Sequence, residues 1–286
     1  MPIPAPVPPD LQLWKTSRFD IALTQPRVMG IVNLTPDSFS DGGLFHDPAQ
    51  AIAHANQLLQ EGADILDLGA ESTRPGAPAV GDSEEWRRLE PVLREVLTWQ
   101  VPISVDTFRP DTMRRALDLG VDIINDIWAL RQPGAEAACL SSGAGVCLMH
   151  MHGEPATMQL APMEGDAVCQ VSDFLAHRRD HLVAQGMAAE RIVLDPGIGF
   201  GKTVAQNFSL LAHQLELAAL GPLLAGWSRK SALGAVTGLD VSQRLVPSVT
   251  AAVLAAERGA RILRVHDVAA TRAGLAVWEA VGATGD

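Results

Sequence analysis

The sequence predicts an α/β protein, a single (β/α)8 TIM barrel with a short N-terminal hairpin. Two observations carry this. Eight apolar, β-branched-rich runs recur at fairly even spacing along the 286 residues, separated by segments of helix length. Such alternation is the pattern of a parallel sheet wound with helices. Nearly every run also ends in a polar or charged residue. In a (β/α)8 barrel the carboxyl ends of the strands share one mouth, where the active site sits.

The first run, 28–33, ends at Asn33. Runs 63–69, 101–107 and 122–127 carry Asp67, Asp106 and Asn125. Runs 145–151 and 192–197 carry His150 and Asp195, 222–228 ends at Ser228, and 260–267 carries Arg264 and His266. Helices are expected over 47–61, 83–98, 110–120, 166–185, 204–219, 242–258 and 268–281. The first has Ala, Ile and Leu on a 3.6-residue period. Pro110 suits a first turn, and Gly120 and Gly186 suit helix ends. Upstream, the proline-rich start makes 1–18 an expected flexible segment, with 19–286 the barrel domain. Residues 19–23, followed by Gln25-Pro26, are expected to close the barrel bottom as a strand or hairpin. The polar loop 34–45 exceeds the usual strand-to-helix connection, which points to function.

The formal net charge of −11 argues against a general binder of nucleic acid or anionic membrane. Any anionic ligand needs positive charge concentrated locally. Cys139, Cys147 and Cys169 have no metal-like spacing and read as thiols of a reducing compartment. The start lacks the pattern of a signal peptide, and no apolar run reaches the roughly 20 residues of a membrane span. A cytoplasmic protein is expected.

Alternate side chains share one face of a strand, so Ser104 pairs in direction with Asp106, and Arg264 with His266. A charge aimed at the helix layer would be buried without a partner, which favours the barrel mouth. Asp106, Asn125, Asp195 and Lys230 come from four βα units. Two carboxylates, an amide and an ammonium suit a nitrogen heterocycle rich in donors and acceptors. The alternative is that each merely closes a loop or caps a helix, which four equivalent positions weigh against. Ser228-Arg229-Lys230-Ser231 and Arg264-Val265-His266 follow the seventh strand and lie on the eighth, the usual anion site of this fold. Asn33 adjoins them once the barrel closes, so Asn33, Arg264 and His266 are candidates for holding a phosphate or diphosphate. Asp195 to Thr203 lacks the Walker spacing. There Gly199 and Gly201 are expected to let the backbone pass a ligand, with Phe200 offering an aromatic face. His150 and His152 lack a third ligand at matching spacing, which favours packing or hydrogen bonding at the rim over a metal.

Eight ordered blocks resemble those of bacterial dihydropteroate synthases. The first is Met29-Gly-Ile-Val-Asn-Leu-Thr-Pro-Asp-Ser-Phe-Ser-Asp-Gly-Gly43, and the second is Asp64-Ile-Leu-Asp-Leu-Gly-Ala-Glu-Ser-Thr-Arg-Pro-Gly76. The others are Ser104-Val-Asp-Thr107, Ile124-Asn-Asp126, Leu148-Met-His-Met-His-Gly153, Asp195-Pro-Gly-Ile-Gly-Phe-Gly-Lys202, Ser228-Arg-Lys-Ser231 and Arg264-Val-His-Asp267. The resemblance implies condensation of 6-hydroxymethyl-7,8-dihydropterin diphosphate with para-aminobenzoate to 7,8-dihydropteroate, with release of diphosphate, in folate biosynthesis. It implies a pterin held by Asp106, Asn125, Asp195 and Lys230. It implies a diphosphate held by Asn33, Thr73, Arg74, Arg264 and His266, with Asn33 helping to place Mg²⁺. Phe39, Pro75, Phe200, Lys230 and Ser231 would enclose the aminobenzoate, where sulfonamides would compete. Arg264, His266, Asp106 and Lys230 would carry the catalytic roles. Loops 34–45 and 70–81 would close over the site, and a homodimer would form through helices late in the barrel.

Trp128, Met163-Glu164-Gly165 and the lack of any tyrosine depart from the pattern without touching a residue given a chemical role. Three other readings compete: a methyltransferase acting on methyltetrahydrofolate, a non-catalytic pterin-binding paralogue, and an unrelated sugar-phosphate barrel. The first has no need of Arg264 and His266 beside Asn33. The last leaves Asp106, Asn125 and Asp195 unexplained.

Overall fold

A computed structural model of the protein describes residues 12–35, 48–71, 80–155 and 157–282. The chain enters through an antiparallel hairpin, β1 (Leu13–Lys15) and β2 (Asp20–Ala22). Eight parallel strands follow: β3 (Arg27–Asn33), β4 (Ile65–Gly69), β5 (Ile103–Asp106), β6 (Ile123–Asp126), β7 (Gly145–Met149), β8 (Ile192–Asp195), β9 (Leu223–Ala225) and β10 (Ala260–Val265). They pair in chain order, and β10 pairs with β3 to close the barrel. Around them lie α1 (Pro48–Gln60), α2 (Asp82–Val96), α3 (Pro110–Leu119), α4 (Ala135–Leu140), α5 (Ala167–Ala184), α6 (Val204–Ala212), α7 (Gln214–Ala218), α8 (Ser231–Thr237), α9 (Leu245–Glu257) and α10 (Val268–Gly282).

Strand alternation sorts the core into two layers. One set of side chains, such as Val32, Leu66, Val105, Ile124, Leu148, Leu194 and Leu263, packs outward against the helices. The other set fills the barrel's lower interior: Met29, Ile65, Ile123, Cys147, Val193, Leu224 and Ile262. The hairpin plugs that lower end with Trp14, Ile21 and Leu23, all buried. The Trp14 indole N–H donates to the Arg191 carbonyl at 3.0 Å, so its polar edge is satisfied while its rings fill the plug. Arg18 donates to Asp122 at 2.6 Å and to the Leu97 carbonyl at 2.7 Å, fastening the hairpin to the barrel rim.

Regular structure is thus present upstream of the expected boundary at Phe19. Residues 13–15 form a strand because Trp14 gains a buried site under the barrel, a long-range contact that no local pattern announces. The expected helix over 204–219 is two helices. The His213 ring Nδ1–H donates to the Ser209 carbonyl at 2.9 Å, at the end of α6. The chain then turns so that buried Gln214 can donate to the Ala255 and Arg258 carbonyls at the end of α9, at 2.8 and 3.1 Å. Two short helices, α4 and α8, are additions to the expected set; both are too short to show a full amphipathic period. Helix starts follow their caps. Asp166 accepts from the Val168 and Cys169 amides, and Thr203 with Gln206 forms a reciprocal capping box. No helix among the described residues is long and apolar enough to cross a membrane.

Candidate active site at the carboxyl ends of the strands

Above the apolar plug the same inward faces turn polar. Register places Asp67 beside Ser104, Asp106 beside Asn125, and Asp195 beside Met149. Across the barrel, β10 contributes Arg264. Its Nε donates to Asp67 Oδ2 at 2.6 Å and its Nη2 to Asp106 Oδ2 at 2.6 Å. Asp67 also accepts from Ser104 Oγ at 2.6 Å and from Asn125 Nδ2 at 3.3 Å. One buried carboxylate thus has three donors, which is the condition for keeping a charge out of water.

Exposure divides the two acids. The Asp67 side chain is 0% exposed and that of Asp106 19%. Asp106 can meet a ligand; Asp67 supports the group that does. Burial pushes the Asp106 carboxyl up to about 7, with Arg264 pulling against it and Asp67 adding to it. Burial also raises Asp195, opposed first by the hydrogen bond from the Gly197 amide, which donates to Oδ1 at 2.7 Å. Burial works against the charge on Arg264, but Asp67 and Asp106 outweigh it and raise its pKa.

Lys230 occupies the N-cap position of α8, with its ammonium 4.3 Å from the centre of the Phe200 ring. Phe200 belongs to an apolar rim with Ile127, Met149, Met151 and Met158, which Trp128 and Phe108 extend. Ser231, the first residue of α8, is exposed. His266 Nδ1 lies 2.9 Å from Ser228 Oγ. Asn33, half-buried at the end of β3, stands in register with Gly69. Phe39, Thr73, Arg74 and Pro75 lie outside the described residues. So does most of the loops 34–45 and 70–81. The flanks of the second loop are tied together: Arg109 bonds Glu71 at 2.8 Å, Asp82 at 2.7 Å and the Val80 carbonyl, while the Val80 amide donates to Glu71 at 3.1 Å.

The glycine-rich stretch after β8 packs against the protein's own backbone at Gly197 and Gly201, while Gly199 lies against the Lys230 side chain. Gly201 has φ +66°, and a Cβ there would lie 2.2 Å from the His152 carbonyl oxygen. At Gly197 (φ +69°) the same atom would lie 1.8 Å from the His150 carbonyl oxygen. The loops after β7 and β8 touch too closely for any side chain. Lys202 joins them from within. Its buried ammonium donates to the Gly197 and Phe200 carbonyls at 2.9 and 3.1 Å and lies 2.9 Å from His150 Nδ1. Burial holds Lys202 down to about 7 and, with the Lys202 charge, holds His150 down to about 3. His150 also meets the edge of Phe174, at 5.0 Å between ring centres, whereas His152 is exposed. The rim packing expected of this histidine is what the structure has. No cluster of three or more His, Cys, Asp or Glu residues suited to a metal occurs among the described residues.

Asp67 and Lys202 are the residues whose importance the sequence reading misses. Asp67 carries a signal, a lone charge inside an apolar run on the inward face. Lys202 carries a misleading one, since it resembles a phosphate-loop lysine. Asp126 resembles a site residue but faces away from the mouth. It accepts the Trp128 and Leu130 amides at 2.8 and 2.7 Å and so holds Ala129 and Leu130 in the left-handed region.

The fold and the paired acids across a half-buried arginine define a barrel suited to a polar heterocycle beside an anion. Residues 29–266 match the family described as pterin binding enzyme. The chain is 53% identical over 278 residues to the dihydropteroate synthase of Neisseria meningitidis serogroup B, covering 94% of this chain and 98% of that one. A structure of the Burkholderia cenocepacia dihydropteroate synthase complexed with 7,8-dihydropteroate is 48% identical, with TM-score 0.87 and coverage of 95% and 97%. The Yersinia pestis dihydropteroate synthase in a sulfonamide drug complex is 42% identical, with TM-score 0.90 and coverage of 95% and 99%. The chain belongs to the dihydropteroate synthase family of pterin-binding enzymes.

Proposed function

We propose that the protein joins 6-hydroxymethyl-7,8-dihydropterin diphosphate to para-aminobenzoate, and that sulfonamides compete for the aminobenzoate position. The observation that carries the reading is the Asp67–Arg264–Asp106 network. It holds a half-buried cation between two acids at the carboxyl ends of the strands, the charge arrangement that separating an anionic leaving group from a cationic pterin would call for.

The carbon–oxygen bond to diphosphate breaks first, the aminobenzoate nitrogen then bonds to the pterin methylene carbon, and the extra proton on that nitrogen passes to the released diphosphate. Arg264 and His266 neutralise the charge developing on the diphosphate. Asp106 stabilises the positive charge left on the methylene and ring, which favours an SN1-like path. An aniline nitrogen is already a nucleophile, so no strong general base is needed. Asp106, Asn125, Asp195 and Lys230 hold the pterin; Asn33, Thr73 and Arg74 complete the diphosphate site; Phe39, Pro75, Phe200 and Ser231 enclose the aminobenzoate. The donor set fits Mg²⁺: a hard cation of this kind keeps several waters and leans on substrate phosphates, and the Asn33 amide oxygen would supply one protein ligand. Bound there, Mg²⁺ would neutralise diphosphate charge.

A homodimer is part of the proposal. Val236, Leu245, Val246, Leu254, Val277 and Val281 stand exposed on α8, α9 and α10, and α9 packs on both of the others. Apolar exposure on adjacent helices suits an interface. Sedimentation should give twice the chain mass, and Val246→Asp with Val277→Asp should give the monomer. A cytoplasmic location is likewise proposed, supported by three free thiols.

The deciding experiment is pyrophosphate release from the purified protein with Mg²⁺ and the pterin diphosphate. Release that depends on aminobenzoate, matched by dihydropteroate, is expected. Tight pterin binding without release would sink the reading.

A further inference from the structure

We propose that Ser228 is a positioning residue that holds His266 in its Nε2–H tautomer, so that the imidazole presents a fixed donor on the side away from β9. The inference deepens the reading of His266 as a diphosphate ligand and rests on it for its functional consequence.

Protons and lone pairs around Ser228 Oγ select the tautomer. A serine hydroxyl has one proton to donate and two lone pairs to accept with. Ser228 Oγ accepts from the His266 backbone N–H at 3.2 Å and lies 2.9 Å from Nδ1 of the same residue. Two arrangements satisfy the ring contact. In the first, Nδ1 is bare and the Ser228 hydroxyl donates to it. Every group is then paired. In the second, Nδ1 carries a proton, both His266 groups donate to Oγ, and the hydroxyl proton needs a third partner. Ser228 is 7% exposed, and its hydrogen bonds among the described residues go to His266. A buried donor left unmade costs about 1–3 kcal/mol. That cost favours the first arrangement by about fivefold to 150-fold.

The surrounding backbone keeps the two residues in place. The residues that follow each of them, Arg229 and Asp267, form an ion pair at 2.7 Å. The Arg229 amide donates to Ser248 Oγ at 2.9 Å. Arg229 itself sits at φ +60°, a conformation that a non-glycine residue holds only where its neighbours require it. The ends of β9 and β10 are therefore stapled side by side. The consequence for the reaction is preorganisation. The Nε2–H is committed before an anion arrives, and no tautomer exchange is needed when charge develops on the leaving diphosphate.

The test is imidazole NMR of the full-length protein labelled with ¹⁵N-histidine, together with titration of inorganic pyrophosphate. Unliganded wild type should show His266 protonated at Nε2 and bare at Nδ1. Ser228→Ala should mix the tautomers and weaken pyrophosphate binding about tenfold, while affinity for the free pterin stays within twofold. Ser228→Thr, which keeps the hydroxyl, should restore both. A wild-type ring protonated at Nδ1 overturns the proposal. So does an alanine variant with the wild-type tautomer and wild-type pyrophosphate affinity. Should Ser228→Ala fail to fold, the wild-type tautomer decides alone. Wild-type protein that shows the Nε2–H signature yet binds no pyrophosphate supports the tautomer and overturns the functional reading instead.

Discussion

The lower and upper halves of the barrel interior are built from the same strands and the same inward faces, two residues apart. Met29 on β3, Ile65 on β4 and Ile262 on β10 fill the lower half with buried hydrocarbon. One step up, Asp67 on β4 and Arg264 on β10 meet in an ion pair. The lower half repays the loss of chain freedom by removing apolar area from water. The upper half gains little net stability, because charges taken from water recover little more than they lose. Its residues are kept for what they do to a ligand. Where one strand face serves both ends, an inward polar residue near a carboxyl end marks chemistry, and an inward apolar residue near an amino end marks stability.

Substitutions can break or sharpen this division. The largest effect is expected for Arg264→Ala, which leaves Asp67 and Asp106 without their shared cation. Turnover should fall on the order of 10³-fold and stability by about 3–5 kcal/mol. Pyrophosphate release and thermal melting measure the two. A variant within tenfold of wild-type turnover would detach the network from the chemistry.

Trp14→Ala comes next. Emptying the plug should cost about 3–5 kcal/mol in a denaturant titration, with the KM for aminobenzoate within twofold of wild type. A changed KM at conditions where the variant is folded would show the lower half to be coupled to the mouth.

Asp195→Ala should weaken pterin binding on the order of 100-fold, since a charged acceptor of ring donors is lost. Isothermal titration with the free pterin reads it directly. A loss that appears in turnover alone would move Asp195 out of the pterin set.

The last effect is confined to acid pH. His150 stays neutral in the folded protein down to about 3, while the unfolded chain takes up the proton near the ordinary value of about 6.5. A folded-state pKa that is lowered gives stability that is complete above about 6.5 and is lost as pH falls toward 3. His150→Gln should flatten the acid limb of a stability–pH curve in that window. An unchanged slope would place the acid sensitivity elsewhere.

Much of this architecture is legible in one dimension. The eight strands, their polar ends and the longer helices follow from local periodicity, and the anion-side grouping of Arg264 and His266 follows from their places on the last strand. Other features are silent there. Trp14 is one aromatic in a proline-rich start until the barrel stands above it. The break at His213 depends on Gln214 finding carbonyls on α9. Lys202 follows glycines as a phosphate-loop lysine would, yet it is buried against His150 and two carbonyls.

Asp67 and Arg264 mark where the two kinds of information meet. The alternation of side chains along each strand is a property of the local backbone, so the sequence alone determined that both face inward. Their pairing spans 197 residues of chain. It exists only because β10 closes against β3, and closure depends on the packing of all eight strands and the hairpin beneath them. Direction is local in a polypeptide, whereas the partner that neutralises a buried charge is chosen by the whole fold.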